Sequence, residues 1–504
     1  MAKDSGITRR DFMKAAGAVS IGLVLGTQGG ARAEGDQKME RPNILWICTD
    51  QQRYDTIASL GNKHIRTPNL DRLASEGVAF THAFCQSPVC TPSRASFLTG
   101  RYPRATRARQ NGQNIPADEV LVTKMLADAG YDCGLSGKLH ISACNGRVER
   151  RIDDGYRVFN WSHGPSGHWK DNDYIKWLES KGYKWDDLYH PKGYAWAGIP
   201  AELHQTKWCV DKAIEFIEED RKGPWLMSVN IYAPHHPFDP PKEYLDRYDP
   251  DALPDCDYVE GELADKPAFQ RSDHEGSDGR PPFSKMTPRE RREIKAAYYA
   301  MIEHIDHNVG RILEMLDDTG RRKNTIVIFT SDHGELLGDH GVFLKGPYTY
   351  DCSVRVPLII SWPGHFEQGV KSDALVELTD LAPTLLGVAG MPVPSQMQGR
   401  PLTDLLTGKI EKHRDSVFCE SYNNVVGSNK PGLRVSMVRT RTHKIAVVHG
   451  TGEGELYDLQ ADPGEHDNLW YSEEHSGLKA EMTALCFDAS IATIDPIPPR
   501  IAPW

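Results

Sequence analysis

The sequence predicts an α/β protein: a large, mostly parallel sheet flanked by helices, followed by a smaller C-terminal antiparallel sheet unit. Three observations carry this. Short apolar runs alternate with helix-period stretches along most of the chain, the pattern of strand–helix–strand units. Two of those runs end just before acidic residues, Asp50 and Asp332, as strands do when they deliver side chains to the carboxyl edge of a sheet. After roughly Gly408 the texture changes to short strands separated by turns.

The elements follow in order. Asn43 to Thr49 (NILWICT) reads as a buried strand, and similar runs recur at Trp225 to Tyr232, Thr325 to Thr330 and Val356 to Trp362. Between them lie helical patterns at Asn69 to Gly77, Val122 to Ala129 and Lys207 to Glu219. The clearest helix opens at Thr287-Pro288-Arg289-Glu290. Thr287 can cap it, Pro288 suits its first turn and Glu290 can close a capping box; the helix is expected to run to about Asp318 and stop at Gly320. Asp251 to Phe283 is polar and irregular and reads as a long insertion or lid. Arg434 to Arg439 and Lys444 to His449 are short strands of the C-terminal unit. The expected division is 1–33 signal, 41–408 large α/β unit and 409–504 C-terminal α+β unit.

The N-terminus reads as an address. Thr8-Arg9-Arg10-Asp11-Phe12-Met13-Lys14 is a twin-arginine pattern, followed by an apolar stretch to Gly26 and small residues at Ala31-Arg32-Ala33. The stretch is too short for a stable membrane anchor. An exported protein, periplasmic or extracellular, is therefore expected, with a twin-arginine translocase as its carrier. The formal net charge is −11, without a long basic tract, which points away from nucleic acid. An acidic protein also gives no general attraction to anions, so an anionic substrate needs local cations. Ten cysteines, none in a CxxC pair, leave disulfide pairing open.

The chemistry-bearing residues fall into short motifs. Cys90-Thr91-Pro92-Ser93-Arg94 continues as ASFLTGRYP; a lone cysteine is usually packing, but this context is unusual. Asp50-Gln51 and Asp332-His333 follow two strands, and their oxygens favour calcium or magnesium, with the histidine keeping manganese open. Gly137-Lys138-Leu139-His140, Pro234-His235-His236-Pro237-Phe238 and Phe343-Leu344-Lys345-Gly346 supply groups that are or can become cationic. Taken singly, each would more often be a turn residue or a surface charge.

Together, and in this order, they resemble the formylglycine-dependent sulfatases of the alkaline phosphatase superfamily. The resemblance runs from Asn43 to about Leu469, including the ending Glu455-Leu456-Tyr457-Asp458-Leu459, Asp462-Pro463 and Asn468-Leu469. It implies an alkaline phosphatase-like fold and hydrolysis of an organic sulfate monoester, on a small molecule or a glycan, to alcohol and sulfate. It implies that Cys90 is oxidised to formylglycine by a formylglycine-generating enzyme and that Arg94 holds the resulting diol. Asp50, Gln51, Asp332, His333 and the modified Cys90 would bind the metal, calcium above all. Lys138 would hold a sulfate oxygen, His140 would hydrogen-bond the diol or assist in expelling sulfate, His235 would lie near the sulfate, and Lys345 would bridge sulfate and leaving oxygen.

Gln51 and His333 depart from the commonest sulfatase pattern, which has Asp and Asn there. Some bacterial sulfatases and related phosphonate monoester hydrolases share the pair seen here. A phosphonate monoester or phosphodiester hydrolase with the same aldehyde is thus the first alternative, and a glycan-binding protein that has lost catalysis the second. Weaker candidates are His304 and His307, three apart on the long helix, and the loop residues Asn111, Trp161, His163, His168 and Tyr348.

Overall fold

The structure, a computed structural model, describes residues 41–144, 149–167, 169, 171–423 and 432–496. The expected signal, 1–33, and His168 lie outside the described residues. The centre of the molecule is β1 (Asn43–Asp50), whose residues from Ile44 onward are all buried. A strand covered on both faces must be apolar on both, which is why NILWICT reads as a continuous run. Alternate residues serve opposite sides: Ile44, Trp46 and Cys48 join one core, Leu45 and Ile47 the other.

Eight further strands complete the sheet: β2 (Val78–Phe84), β3 (Asp132–Gly137), β4 (Val158–Trp161), β5 (Trp225–Pro234), β6 (Thr325–Ser331), β7 (Arg355–Ser361), β8 (Val370–Ser372) and β9 (Val376–Glu377). Their order is β4-β3-β5-β1-β6-β7-β2-β8, with β9 also on β2. β1 runs parallel to β5 and β6, and β3 parallel to β4 and β5. Only β7 reverses, pairing antiparallel with β6 and with β2. The sheet is thus mixed and mostly parallel.

Helices α1 (Pro68–Ser75), α2 (Cys90–Thr99), α3 (Val122–Asp128), α4 (Gln205–Glu218) and α5 (Pro288–Asp318) flank it. α1, α4 and α5 supply one core; α2 and α3 supply the other. The capping box at α5 forms as expected: Glu290 N–H donates to Thr287 Oγ1 at 3.2 Å, and Thr287 N–H to Glu290 Oε2 at 2.8 Å. Gly320, at φ 68°, takes the left-handed turn that follows the helix.

The second sheet is antiparallel, β10 (Val417–Tyr422), β11 (Arg434–Arg439), β12 (His443–Val448) and β13 (Gly454–Asp458), in sequence order. Its two faces do different jobs. Phe418, Val438, Ile445 and Leu456 pack with Met482 and Cys486 of α6 (Ser476–Ala492), whereas Val417, Cys419, Met437 and Ala446 join the core of the large sheet.

The stretch from Asp251 to Phe283 consists of short turns and helices that brace the molecule. Lys266 Nζ donates to Tyr457 Oη at 2.5 Å and to the Glu465 carbonyl at 2.8 Å, while Arg280 donates to the carbonyls of Phe343 (2.7 Å) and Lys345. All ten cysteines are free thiols. No helix among the described residues is long and apolar enough to cross a membrane.

Candidate active site

β1 and β6 are adjacent and parallel, with Thr49 opposite Ser331, so their carboxyl ends present Asp50 and Asp332 side by side. Cys90 arrives from the other direction, as the first residue of α2. All ten residues of that helix are buried. Its amino end, where Cys90 stands, carries the partial positive charge of a helix terminus.

The ten residues that the resemblance assigns to the site are all buried, none more than 9% exposed. Cys90 Sγ lies 3.1 Å from Lys345 Nζ, 3.3 Å from His333 Nε2, 3.6 Å from Lys138 Nζ and 3.6 Å from Asp50 Oδ1. His140 and His235 lie near enough to the same sulfur for it to bear on their titration. Arg94 is a fork beneath it: Nε donates to Asp332 Oδ2 (2.8 Å), Nη2 to Asp50 Oδ2 (3.1 Å) and Nη1 to the Lys138 carbonyl (2.9 Å). Lys138 Nζ pairs with Asp50 Oδ2 at 2.6 Å.

This packing of charge shifts the titrations. Burial raises the Cys90 thiol, but Lys138, Lys345 and His333 overcome it and hold the group well below its ordinary value. Burial lowers His140 and His235 to about 4, and the neighbouring lysines add to it; both rings are neutral at pH 7. Burial also opposes charge on His333, yet Asp332 raises it to about 9. Asp332 is pushed up by burial and by Asp50, against the pull of Arg94.

Arg94 spans the two buried carboxylates, and a set of possible metal ligands gathers beside them. Asp50, Cys90, Asp332 and His333 each offer a ligand atom, all within 4.8 Å of one another. His333 Nδ1 is engaged by the Gly334 carbonyl at 2.8 Å, which leaves Nε2 for an ion. Gln51 Oε1 is a buried acceptor without a hydrogen-bond partner, as expected of a ligand oxygen. The donor set fits one divalent cation.

The supports of these groups were not read from the sequence. Glu335 accepts the Gln51 amide and the N–H groups of Leu337 (2.9 Å) and Leu344 (2.5 Å), so the Gln51 oxygen is turned toward the site. Gln51 itself sits at φ 69°, held by Tyr298, whose hydroxyl donates to the Gln51 carbonyl at 2.6 Å. Glu149 accepts from the N–H groups of His140, Ile141 and Ser142, shaping the turn that carries Lys138 and His140.

The weaker candidates divide. His163 lies against His140, ring centroids 4.3 Å apart, and Trp161 donates to Glu149 at 3.3 Å, so both border the site. Asn111 accepts from Thr91 N–H at 2.9 Å and braces the start of α2. Tyr348 donates to Asp273 at 2.6 Å. His304 packs between His204 and Tyr244 while His307 is exposed; they share no potential metal site among the described residues.

Comparison with known proteins decides the family. The Sulfatase family profile matches residues 42–391, and that of the N-sulphoglucosamine sulphohydrolase C-terminal region matches 338–489. This chain belongs to the sulfatase family. Its relatives include an arylsulfatase of Clostridium perfringens, 34% identical over 455 residues that cover 86% of this chain and 91% of the relative. Another is an N-acetylglucosamine-6-O-sulfatase of Bacteroides thetaiotaomicron, 27% identical over 507 residues, covering 89% and 86%. Among solved structures, the phosphonate monoester hydrolase of Agrobacterium radiobacter superposes with a TM-score of 0.79 at 26% identity, covering 90% of this chain and 96% of that one. The sulfatase described here is a sulfuric ester hydrolase.

Proposed function

We propose that this sulfatase hydrolyses the sulfate monoester of a sugar or small aryl alcohol after export, with formylglycine derived from Cys90 as nucleophile and calcium as its resident metal. One observation carries this reading: the Cys90 side chain sits at the single point where two carboxylates, Arg94, two lysines and three imidazoles converge. A hydrated aldehyde there supplies two geminal hydroxyls, one to attack sulfur and one to expel sulfate by re-forming the carbonyl. The ion, held by Asp50, Gln51, Asp332 and His333, supplies Lewis acidity toward a sulfate oxygen.

The chain's own groups do the rest. Arg94 fixes both acidic ligands and balances their charge. Lys138 and Lys345 present ammonium groups to the sulfate, where preorganised cations favour the transition state. His235 engages the carbonyl of His236 through Nδ1 at 2.5 Å, leaving Nε2 facing the reacting centre. His140, neutral at pH 7, is positioned to take the proton of the diol.

The name of the Bacteroides relative supports a sugar sulfate, and that of the Clostridium relative an aryl sulfate. The phosphonate monoester hydrolase superposition keeps the alternative substrate in the test. Aldehyde-bearing protein should be assayed on sulfated sugars, aryl sulfates and phosphonate monoesters, alongside a mass measurement of the Cys90 peptide. Conversion lowers that mass by about 18 Da. Active protein with an unshifted peptide, or faster phosphonate than sulfate turnover, overturns the reading.

A further inference from the structure

Away from the active site, three segments remote in sequence bring metal-ligating side chains together. Glu262 comes from the bracing segment, His340 from the loop between β6 and β7, and His466 from the stretch after β13. One ligand atom from each lies within 4.8 Å of the others. His466 Nδ1 is 2.7 Å from Glu262 Oε2, and His340 Nδ1 is 3.5 Å from the same oxygen. His340 is 4% exposed, and its Nδ1 has no hydrogen-bond partner; Glu262 Oε1, also buried, has none either. A desolvated imidazole nitrogen and carboxylate oxygen left unpartnered are costly unless something else binds them.

The surroundings aim these atoms. His340 is held at φ 53°, its N–H donates to the Asp257 carbonyl at 2.9 Å, and its ring stacks on Tyr350 with centroids 3.8 Å apart. His466 turns its other nitrogen, Nε2, to Asp257 Oδ1 at 3.0 Å, the carboxylate–histidine arrangement that orients metal-bound imidazoles. His340 and Asp257 also line a surface cavity of about 410 Å³, which gives an ion a route in.

We propose that Glu262, His340 and His466 form a second metal site, distinct from that at Cys90, which takes a borderline divalent cation of the zinc class. Two imidazoles and one carboxylate suit zinc or cobalt better than calcium, which prefers an all-oxygen shell. The site is a clasp. It ties the bracing segment and the C-terminal stretch to the loop that carries His333 and Lys345.

The test uses the whole protein, stripped with chelator and reloaded with zinc or cobalt, against the variants E262Q and H466A. E262Q keeps the side-chain shape, and His466 is the most exposed of the three, so at least one variant should fold; thermal melting checks both. Wild type is expected to bind one more equivalent of zinc than each folded variant, by elemental analysis. Its cobalt form should show visible ligand-field bands that the variants lack. The groups at Cys90 and at His140–Cys144–His163 are present in all three proteins and cancel from the difference. Equal zinc stoichiometry with unchanged cobalt spectra overturns the proposal and leaves a proton-held hydrogen-bond cluster.

Discussion

Arg94 reaches two carboxylates and a backbone carbonyl from one planar group, so its geometry matters as much as its charge. Lysine keeps the charge and loses the fork. R94K is therefore expected to lower kcat by about 100- to 1,000-fold, the order seen when a preorganised donor is lost; steady-state kinetics on a sulfate ester checks it. Removal of the ion should act on stability as well. Asp50 and Asp332 are fully buried, so a chelator is expected to lower the melting temperature and calcium to restore it. Unchanged melting would mean that Arg94 and Lys138 neutralise the pair alone. At this scale the motif residues were legible because their types and order are distinctive. Glu335 and Glu149 were not, since a carboxylate in a polar loop carries no mark of the N–H groups it will accept.

At the scale of elements, α1 shows stabilisation arriving from outside its own sequence. Its N-cap, Thr67, makes no capping hydrogen bond. Instead Asp306 of α5 accepts from the N–H groups of Asn69 (3.0 Å) and Leu70 (2.7 Å). D306A should destabilise the protein by about 1–3 kcal/mol in urea unfolding, by leaving those donors buried and unpaired. Burial pushes the Asp306 carboxyl up from its ordinary 3.8 to about 6 despite these bonds. Its folded form binds a proton more readily than its unfolded form. The stabilisation that comes from this tighter proton binding, separate from the hydrogen bonds, is therefore fully present below pH 3.8 and lost as pH rises through about 6. D306N should flatten the stability profile across that window. The strand β1 was legible as a continuous apolar run, but β2 and β3 were not. Thr81 and His82 interrupt β2, and two glycines and a serine thin β3. The reversal of β7 depends on its connection, which no periodicity records.

At the scale of the whole molecule, the second sheet is fastened to the first by buried charge. Lys444 of β12 lies 2.6 Å from Asp351 and 2.6 Å from Glu465, and Arg439 of β11 is 3.2 Å from Asp351. Against burial, Lys444, Arg439 and Arg355 hold the Asp351 carboxyl well below the usual carboxylate range. K444M leaves Glu465 buried without its ion pair, while Asp351 keeps its two arginines, a change of about 3–5 kcal/mol. Chemical denaturation should show the loss, and a transition confined to one sheet would mean that the sheets unfold separately. The sequence revealed the second sheet through its short strands and turns. It did not reveal that Val417, Cys419 and Met437 belong to the core of the first, because an apolar residue does not name its neighbour.

The burial of α2 sets an order of events in the life of the protein. Cys90 is 1% exposed at the start of a helix with no exposed residue, so another enzyme's active site cannot close around it in the folded state. On the proposed reading, oxidation of Cys90 races against folding, and each molecule runs that race once. Rapid overproduction should yield folded chains with an unshifted Cys90 mass, and later incubation with the maturation enzyme should not convert them. Unfolding and refolding in its presence should.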